Sequence, residues 1–200
     1  MLTNYGSGSA PSFDHINVYA CVLAGGQSRR MGRDKSALVH KDKSLLEYCL
    51  QSLSYFSFKQ VLVSKGAGVL NTEGIIDQYP NAGPVGGIYS VCNSLGLVRG
   101  EYILFLPVDM PSVKPLLIDY LLTQAITHKR SCFYANAFFP IVLRFDETQH
   151  KKLLTHLSQQ KTLSVKGLLE SYEAKELSIP SNEQLNNINT PQDWRKFISQ

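Results

Sequence analysis

Two hundred residues correspond to about one domain, and a chain of this length buries roughly 70% of its unfolded surface without disulfide staples. With 44% hydrophobic, 18% charged and 10% aromatic residues and a mean hydropathy of −0.11, the composition is that of a globular protein and excludes disordered, collagen-like and coiled-coil chains. A net charge of +4 is too weak to argue for nucleic acid by itself.

Residues 1–16, with GSGSAPS in the middle, have turn composition and no periodicity, and are expected to form a mobile tail before a single domain over 17–200. VYACVLA at 18–24 predicts a buried strand that opens directly into Gly25 and Gly26. SLLEYCLQSLSYFS predicts an amphipathic helix, with a capping box at Ser44 and Glu47 and apolar Leu46, Leu50, Leu53 and Phe56 at helical spacing. VLVS at 61–64 and GII at 74–76 read as the second and third strands. The turn-rich DQYPNAGP leads into a helix through VGGIYSVCNSL and then the apolar strand YILFLPVD.

Ser112 and Pro115 announce a helix through LLIDYLLTQAI, proline being tolerated where its missing N–H has no intrahelical partner. Strands near 131–135 and 139–144 follow, then a helix over 147–159, a shorter one after Ser164 and a strand near 175–179. A final helix is capped by Thr190, with Pro191 next. The strand–helix alternation up to about residue 128 predicts an α/β fold, a mostly parallel central sheet between two helical layers, with ligands beyond the carboxyl ends of the strands.

Cys21, Cys49, Cys92 and Cys132 lie far apart among apolar neighbours, which reads as reduced core thiols rather than metal ligands. No run approaches the roughly 18–20 apolar residues of a membrane span, and MLTNYGSGSAPSFDH lacks the basic and apolar regions of a signal peptide. A cytoplasmic protein without membrane or nucleic-acid partners is expected.

The charge is local. Between Gln27 and Lys43 six cations (Arg29, Arg30, Arg33, Lys35, Lys41 and Lys43) face Asp34 and Asp42, so this stretch carries the whole net +4. A confined positive field suits a small polyanion such as a nucleoside triphosphate better than a long phosphate backbone. In LAGGQSRRMGRDKS, glycines at 25 and 26 let backbone N–H groups approach anionic oxygens, while Arg29, Arg30 and Lys35 neutralise them. Arg33 and Asp34 separate Gly32 from Lys35, so this is not the phosphate loop that needs contiguous GK[ST]. Nor do Gly25, Gly26 and Gly32 fit GxGxxG.

The string LAGGQSRRMGRDK resembles the LAGGxSxRMGxDK signature of the molybdenum-cofactor guanylyltransferases (MobA type), members of a nucleotidyltransferase superfamily with a Rossmann-like fold. The resemblance continues in VLVS, where Ser64 stands in place of a frequent base-contacting Asn, and in IIDQYPNAGPVGG, which carries Asp77 and Gly83, Gly86 and Gly87. It extends to FLPVDMP with Asp109, and to NNINTPQDW with Asn187 and Asn189. Phe139–Pro140 stands where many relatives carry His-Pro. The resemblance implies a nucleotide site built from Leu23, Ala24, Gly25, Gly26, Lys35, Ser64, Asp77, Gly83 and Asp109. It implies catalytic roles for Arg30, Lys35 and Asp109, Mg²⁺ on Asp109, and additional polar groups at Asn187 and Asn189.

Each residue also has a plainer reading. Asp109 either binds metal or caps the turn before Pro111. Asp77 either contacts nucleotide or organises an Asx turn before Tyr79. Asn187, Asn189 and Ser64 are also ordinary turn and cap residues. The activity implied is transfer of GMP from GTP to molybdopterin with release of pyrophosphate, together with transient contacts to other cofactor-biosynthesis proteins or molybdoenzymes. A CTP-using or other small-molecule nucleotidyltransferase, or a non-catalytic nucleotide-binding module, are the alternatives.

Overall fold

The computed structural model describes residues 17–25, 38–66, 74–79, 82–96, 99–158, 164–179 and 185–199. The expected tail over 1–16 and the signature residues Gly26, Arg29, Arg30, Gly32, Arg33 and Lys35 lie outside the described residues.

The first strand, β1 (Val18–Leu23), is buried along its whole length. It pairs in parallel with β4 (Gln60–Lys65) on one side and with β6 (Arg99–Pro107) on the other. Beyond β4 lies β5 (Ile75–Ile76), also parallel. Beyond β6 the direction reverses. There β8 (Ala137–Asp146) runs antiparallel to β6, and β7 (Cys132–Tyr134) antiparallel to β8. Last comes β9 (Lys175–Leu177), parallel to β7. The sheet order is therefore β5-β4-β1-β6-β8-β7-β9.

A strand buried on both faces feeds two cores alternately. Val18, Ala20 and Val22 enter one apolar cluster, shared with α1 (Leu45–Leu53) and α3 (Pro115–His128). Tyr19, Cys21 and Leu23 enter the other, shared with α2 (Gly83–Leu95), α4 (Glu147–Ser158) and α5 (Val165–Ser171). The three-layer α/β/α arrangement expected from the alternation is thus present. The four cysteines are free and buried, as their apolar neighbours implied.

Local signals account for most element ends. Ser44 accepts from the Glu47 amide while the Glu47 carboxylate accepts from the Ser44 amide, the reciprocal box that opens α1. Thr190 and Asp193 form the same box at α6 (Pro191–Ile198), and Ser164 caps α5. Three expectations need correction. The first helix stops at Leu53, and its deep face is Leu45, Cys49 and Leu53, with Leu46 and Leu50 only partly covered. Ser112 does not cap α3; Lys114 occupies that position without a side-chain bond, because Pro115 at the first helical residue leaves one fewer amide to satisfy. Gly83 and Pro84, expected in the turn, are already the first residues of α2, ahead of the expected start at Val85.

One element had no counterpart in the sequence reading. Val39–His40 (β2) and Lys43–Ser44 (β3) form a small antiparallel hairpin at the point where the chain returns from the signature stretch. Its turn residues Lys41 and Asp42 have φ of 47° and 60°, the left-handed pair that a two-residue hairpin turn requires. The His40 ring meets Tyr48, Trp194 and Phe197, so α6 is held against this hairpin by aromatic edges rather than by any buried residue of its own.

Candidate functional site

The carboxyl ends of β4, β1 and β6 come level at one edge of the sheet. Register places Ser64, Leu23 and Pro107 side by side across the three strands. The ladder then continues into the loops: the Ala24 amide donates to the Ser64 carbonyl at 2.8 Å, and the Val108 amide to the Leu23 carbonyl at 3.0 Å. Leu23, Ala24, Gly25, Ser64 and Asp109 therefore share a single edge, which is where ligands of a parallel sheet gather. At Gly25 the backbone runs so close to the end of β4 that an added Cβ would stand 3.1 Å from the Gly66 nitrogen.

The amino end of α2 completes this edge. Gly87 lies against Ser64, where an added Cβ would meet Ser64 Oγ at 2.9 Å and Leu23 Cδ2 at 3.5 Å. The helix begins at Gly83, whose φ is +56°. A thirteen-residue helix directs unsatisfied N–H groups and the positive end of its dipole outward from its first turn. Ser64 is 1% exposed, so its hydroxyl is fixed between Gly87 and Leu23.

Asp77 is engaged by its own loop. Its Oδ1 accepts from the Tyr79 amide at 2.7 Å, in an Asx turn, and from the Ser90 hydroxyl at 3.4 Å. Its amide donates to the Lys65 carbonyl at 2.9 Å. These contacts fix the approach from β5 to α2 and so set where the helix begins.

Asp109 follows β6 by two residues and is half-buried, with Oδ1 shut off from solvent. Beneath its turn lies the Cys49 thiol, which donates to the Pro107 and Val108 carbonyls at 3.7 Å. Burial, and secondarily the neighbouring Asp109 carboxylate, push that thiol well above its ordinary value, so it stays neutral. The Asp109 carbonyl accepts from the Ile188 amide at 2.7 Å. That bond brings the 187–190 segment to the site: Asn187 is exposed and Asn189 half-buried on either side of the anchored Ile188. Asp193 Oδ2 gathers the amides of Asn189 and Thr190 and the Thr190 hydroxyl, which holds the segment rigidly at the start of α6.

Phe139, at the position set apart from His-Pro relatives, is half-buried and packs against both cores. The sequence reading missed Lys65. It neighbours Ser64 at the end of β4 and is only 7% exposed, although nothing in VLVSK distinguishes it from a solvated strand-end lysine. Among the described residues no group of three or more His, Cys, Asp or Glu could hold a metal, and no helix is long and apolar enough to cross a membrane.

Residues 20–174 match the model of the MobA-like NTP transferase domain. The chain is 30% identical over 180 residues to a molybdenum cofactor guanylyltransferase of Xanthomonas euvesicatoria, covering 88% of this chain and 92% of that protein. Among solved structures, molybdopterin-guanine dinucleotide biosynthesis protein A from Archaeoglobus fulgidus superposes with a TM-score of 0.69 at 20% identity, over 90% of this chain and 97% of that one. A 2-C-methyl-D-erythritol 4-phosphate cytidylyltransferase from Thermus thermophilus superposes at 0.66 and 13% identity, over 90% and 96%. The two superpositions establish the nucleotidyltransferase fold. The matched span runs from within β1 to just past α5, leaving only β9 and α6 beyond it, and the chain belongs to the MobA-like NTP transferase family.

Proposed function

We propose that this protein transfers GMP from GTP to molybdopterin, giving molybdopterin guanine dinucleotide and pyrophosphate. The observation that carries the reading is the convergence of Gly25, Ser64, the first turns of α2 and Asp109 on one sheet edge. The relatives named for this activity support the choice of nucleotide and acceptor.

In the reaction, a terminal phosphate oxygen of molybdopterin attacks the α-phosphorus of GTP. A new P–O bond forms as the bond to the β-phosphate oxygen breaks, and pyrophosphate leaves. The attacking phosphate is already ionised near neutral pH, so no side chain need take its proton. The work left to the protein is alignment and charge neutralisation. The amino end of α2 and the backbone at Gly25 offer N–H groups to the nucleotide, Ser64 shapes the wall beside them, and Asp77 sets the start of the helix. Arg30 and Lys35, four and nine residues beyond Gly26 in the sequence, are assigned to the departing pyrophosphate.

Asp109 fits a hard divalent cation: one carboxylate at a strand end is the usual protein share for Mg²⁺, which takes its other ligands from water and substrate phosphates. Bound there, Mg²⁺ would supply neutralisation of charge on the α-phosphate. Asn187 and Asn189 are assigned as polar neighbours of that carboxylate, anchored through Ile188. Association with other cofactor-biosynthesis proteins or molybdoenzymes, at the stage of handing over the product, is part of the same proposal.

The test is pyrophosphate release by the purified protein with Mg²⁺ and each of the four nucleoside triphosphates, with and without intact molybdopterin. Release that requires both GTP and the pterin is the expected outcome. Preference for CTP would move the assignment to a cytidylyl transfer, and nucleotide binding without any release would replace it with a non-catalytic module.

A further inference from the structure

Asp109 is the second central residue of a tight turn. The Met110 amide donates to the Pro107 carbonyl at 3.1 Å, which places Val108 and Asp109 at the two middle positions. Two peptide planes meet at the Asp109 Cα, and because each plane is rigid, holding both fixes the direction in which the carboxylate leaves the backbone. The plane after Asp109 is held by the Ile188 amide, which donates to the Asp109 carbonyl at 2.7 Å. The plane before it carries the Val108 carbonyl, and that carbonyl accepts from the Cys49 thiol at 3.7 Å. The same thiol lies 3.7 Å from the Pro107 carbonyl, so its one proton serves the first two carbonyls of the turn.

Cys49 reaches this turn from outside it. It belongs to α1, is 0% exposed, and lies on the deep face of that helix with Leu45 and Leu53. A side-chain donor inside a helix has the carbonyl four residues earlier within reach. The Cys49 thiol is directed instead at carbonyls 58 and 59 residues further along the chain. On the other side the Val108 amide donates to the Leu23 carbonyl at 3.0 Å. The turn is thus gripped by β1, by α1 and by the segment around Ile188. Of these, α1 acts through a side chain, so its grip can be removed by substitution while the two backbone bonds stay in place.

We propose that Cys49 is a positioning residue for Asp109, its thiol orienting the peptide between Val108 and Asp109 so that the carboxylate is presented to a divalent cation. The inference rests on the reading of Asp109 as the protein's ligand to that cation, and adds to it a buried sulfur that touches neither metal nor substrate. A thiol is a weak donor, and one such bond is worth about threefold to tenfold in an equilibrium constant.

The test compares Cys49→Ala, which removes the donor, with Cys49→Ser, which keeps one. Mn²⁺ alone is titrated into each protein, and its binding is read from the paramagnetic broadening of the Met110 and Ile188 amide signals. Melting temperatures are read beside it, with the Mg²⁺ KM and kcat of nucleotidyl transfer. In Cys49→Ala the Mn²⁺ concentration for half-broadening and the Mg²⁺ KM should both rise about threefold to tenfold, while kcat at saturating Mg²⁺ stays within about twofold of wild type. Cys49→Ser should recover most of the Mn²⁺ affinity although a buried hydroxyl makes it no more stable than Cys49→Ala. Should Cys49→Ala fail to fold, Cys49→Val fills the space without a donor and takes its place. In an Asp109→Asn background Cys49→Ala should change Mn²⁺ binding no further. Unchanged Mn²⁺ binding in Cys49→Ala, where Asp109→Asn has lost it, overturns the inference alone, as does a loss that Cys49→Ser shares in full and that follows the melting temperature. Wild-type Mn²⁺ binding in Asp109→Asn overturns the metal reading itself and the inference with it.

Discussion

The amide of Ile188 donates to the carbonyl of Asp109 at 2.7 Å, which ties a segment near the end of the chain to the carboxyl end of β6. The bond uses the backbone of Asp109 and leaves the carboxylate to its own surroundings, so substitution of the side chain need not disturb the anchor. Asp109→Asn should therefore lower kcat by roughly 10²–10³-fold, the range seen when one group stabilising transition-state charge is removed, while the melting temperature stays close to that of wild type. Lys35→Met should show the same pattern. Pyrophosphate release at saturating Mg²⁺, read beside a thermal melt, checks both. An Asp109→Asn protein with undiminished turnover would remove Asp109 from the metal role.

Gly87 and Ser64 should be energetically coupled. Alanine is favoured over glycine inside a helix by about 1 kcal/mol, but at residue 87 its methyl would meet Ser64 Oγ at 2.9 Å, and overpacking of this kind costs about 1–3 kcal/mol. The steric term should win, so Gly87→Ala alone is destabilising. In a Ser64→Ala background the clash is gone and the same change should become neutral or stabilising. A denaturant double-mutant cycle reads the difference directly, with a coupling of about 1–2 kcal/mol expected. Additivity within about 0.3 kcal/mol would show that Ser64 and Gly87 do not press on one another.

The legible parts of this molecule are those with local causes. Ser44 with Glu47 and Thr190 with Pro191 announce helix starts because capping is settled within four residues, and VYACVLA announces a buried strand because no polar side chain interrupts it. The signature at the exit of β1 likewise places Gly25 and Asp109 at one edge, once the sheet is known to be parallel. What stayed hidden depends on distant neighbours. The β2–β3 hairpin turns on Lys41 and Asp42, which adopt positive φ without glycine. Gly83–Pro84 reads as a turn yet begins α2, because the Asp77 loop and Ser64 receive the helix there. The burial of Lys65 depends on an absent side chain at Gly74, nine residues away.

Glu47 offers a pH-dependent test of the α1 cap. Hydrogen bonds from the Ser44 amide and hydroxyl hold its carboxyl below the ordinary value of 4.5, with Lys43 contributing in the same direction. A folded-state value below the unfolded one gives stability that is complete above about pH 4.5 and is lost as pH falls through the lower value. Glu47→Ala should therefore melt below wild type at pH 7, and the gap should narrow steadily below pH 4.5. A gap that stays constant down to pH 3 would mean that the ionised carboxylate contributes nothing to the cap.

The four buried thiols make the opposite prediction at alkaline pH. Burial pushes Cys21 from 9.0 up to about 12, with a backbone hydrogen bond at Ser64 opposing it only in part, and pushes Cys132 up to about 11. Cys49 and Cys92 are raised as well, also chiefly by burial. The folded values exceed the unfolded ones, so the contribution to stability is complete below about pH 9 and is lost as pH rises towards 11 and 12, where only the unfolded chain gives up its protons. For Cys21 that loss runs at about 1.4 kcal/mol per pH unit across the window. Denaturant titrations from pH 8 to 11 should show the midpoint falling above pH 9, with a shallower fall in Cys21→Ala. Because the thiolate is the reactive form, a thiol reagent at pH 8 should label none of the four in the native protein within minutes, and all four after unfolding. Rapid native labelling of any one of them would contradict its burial, and a midpoint flat to pH 11 would show that these thiols ionise alike in the folded and unfolded chains.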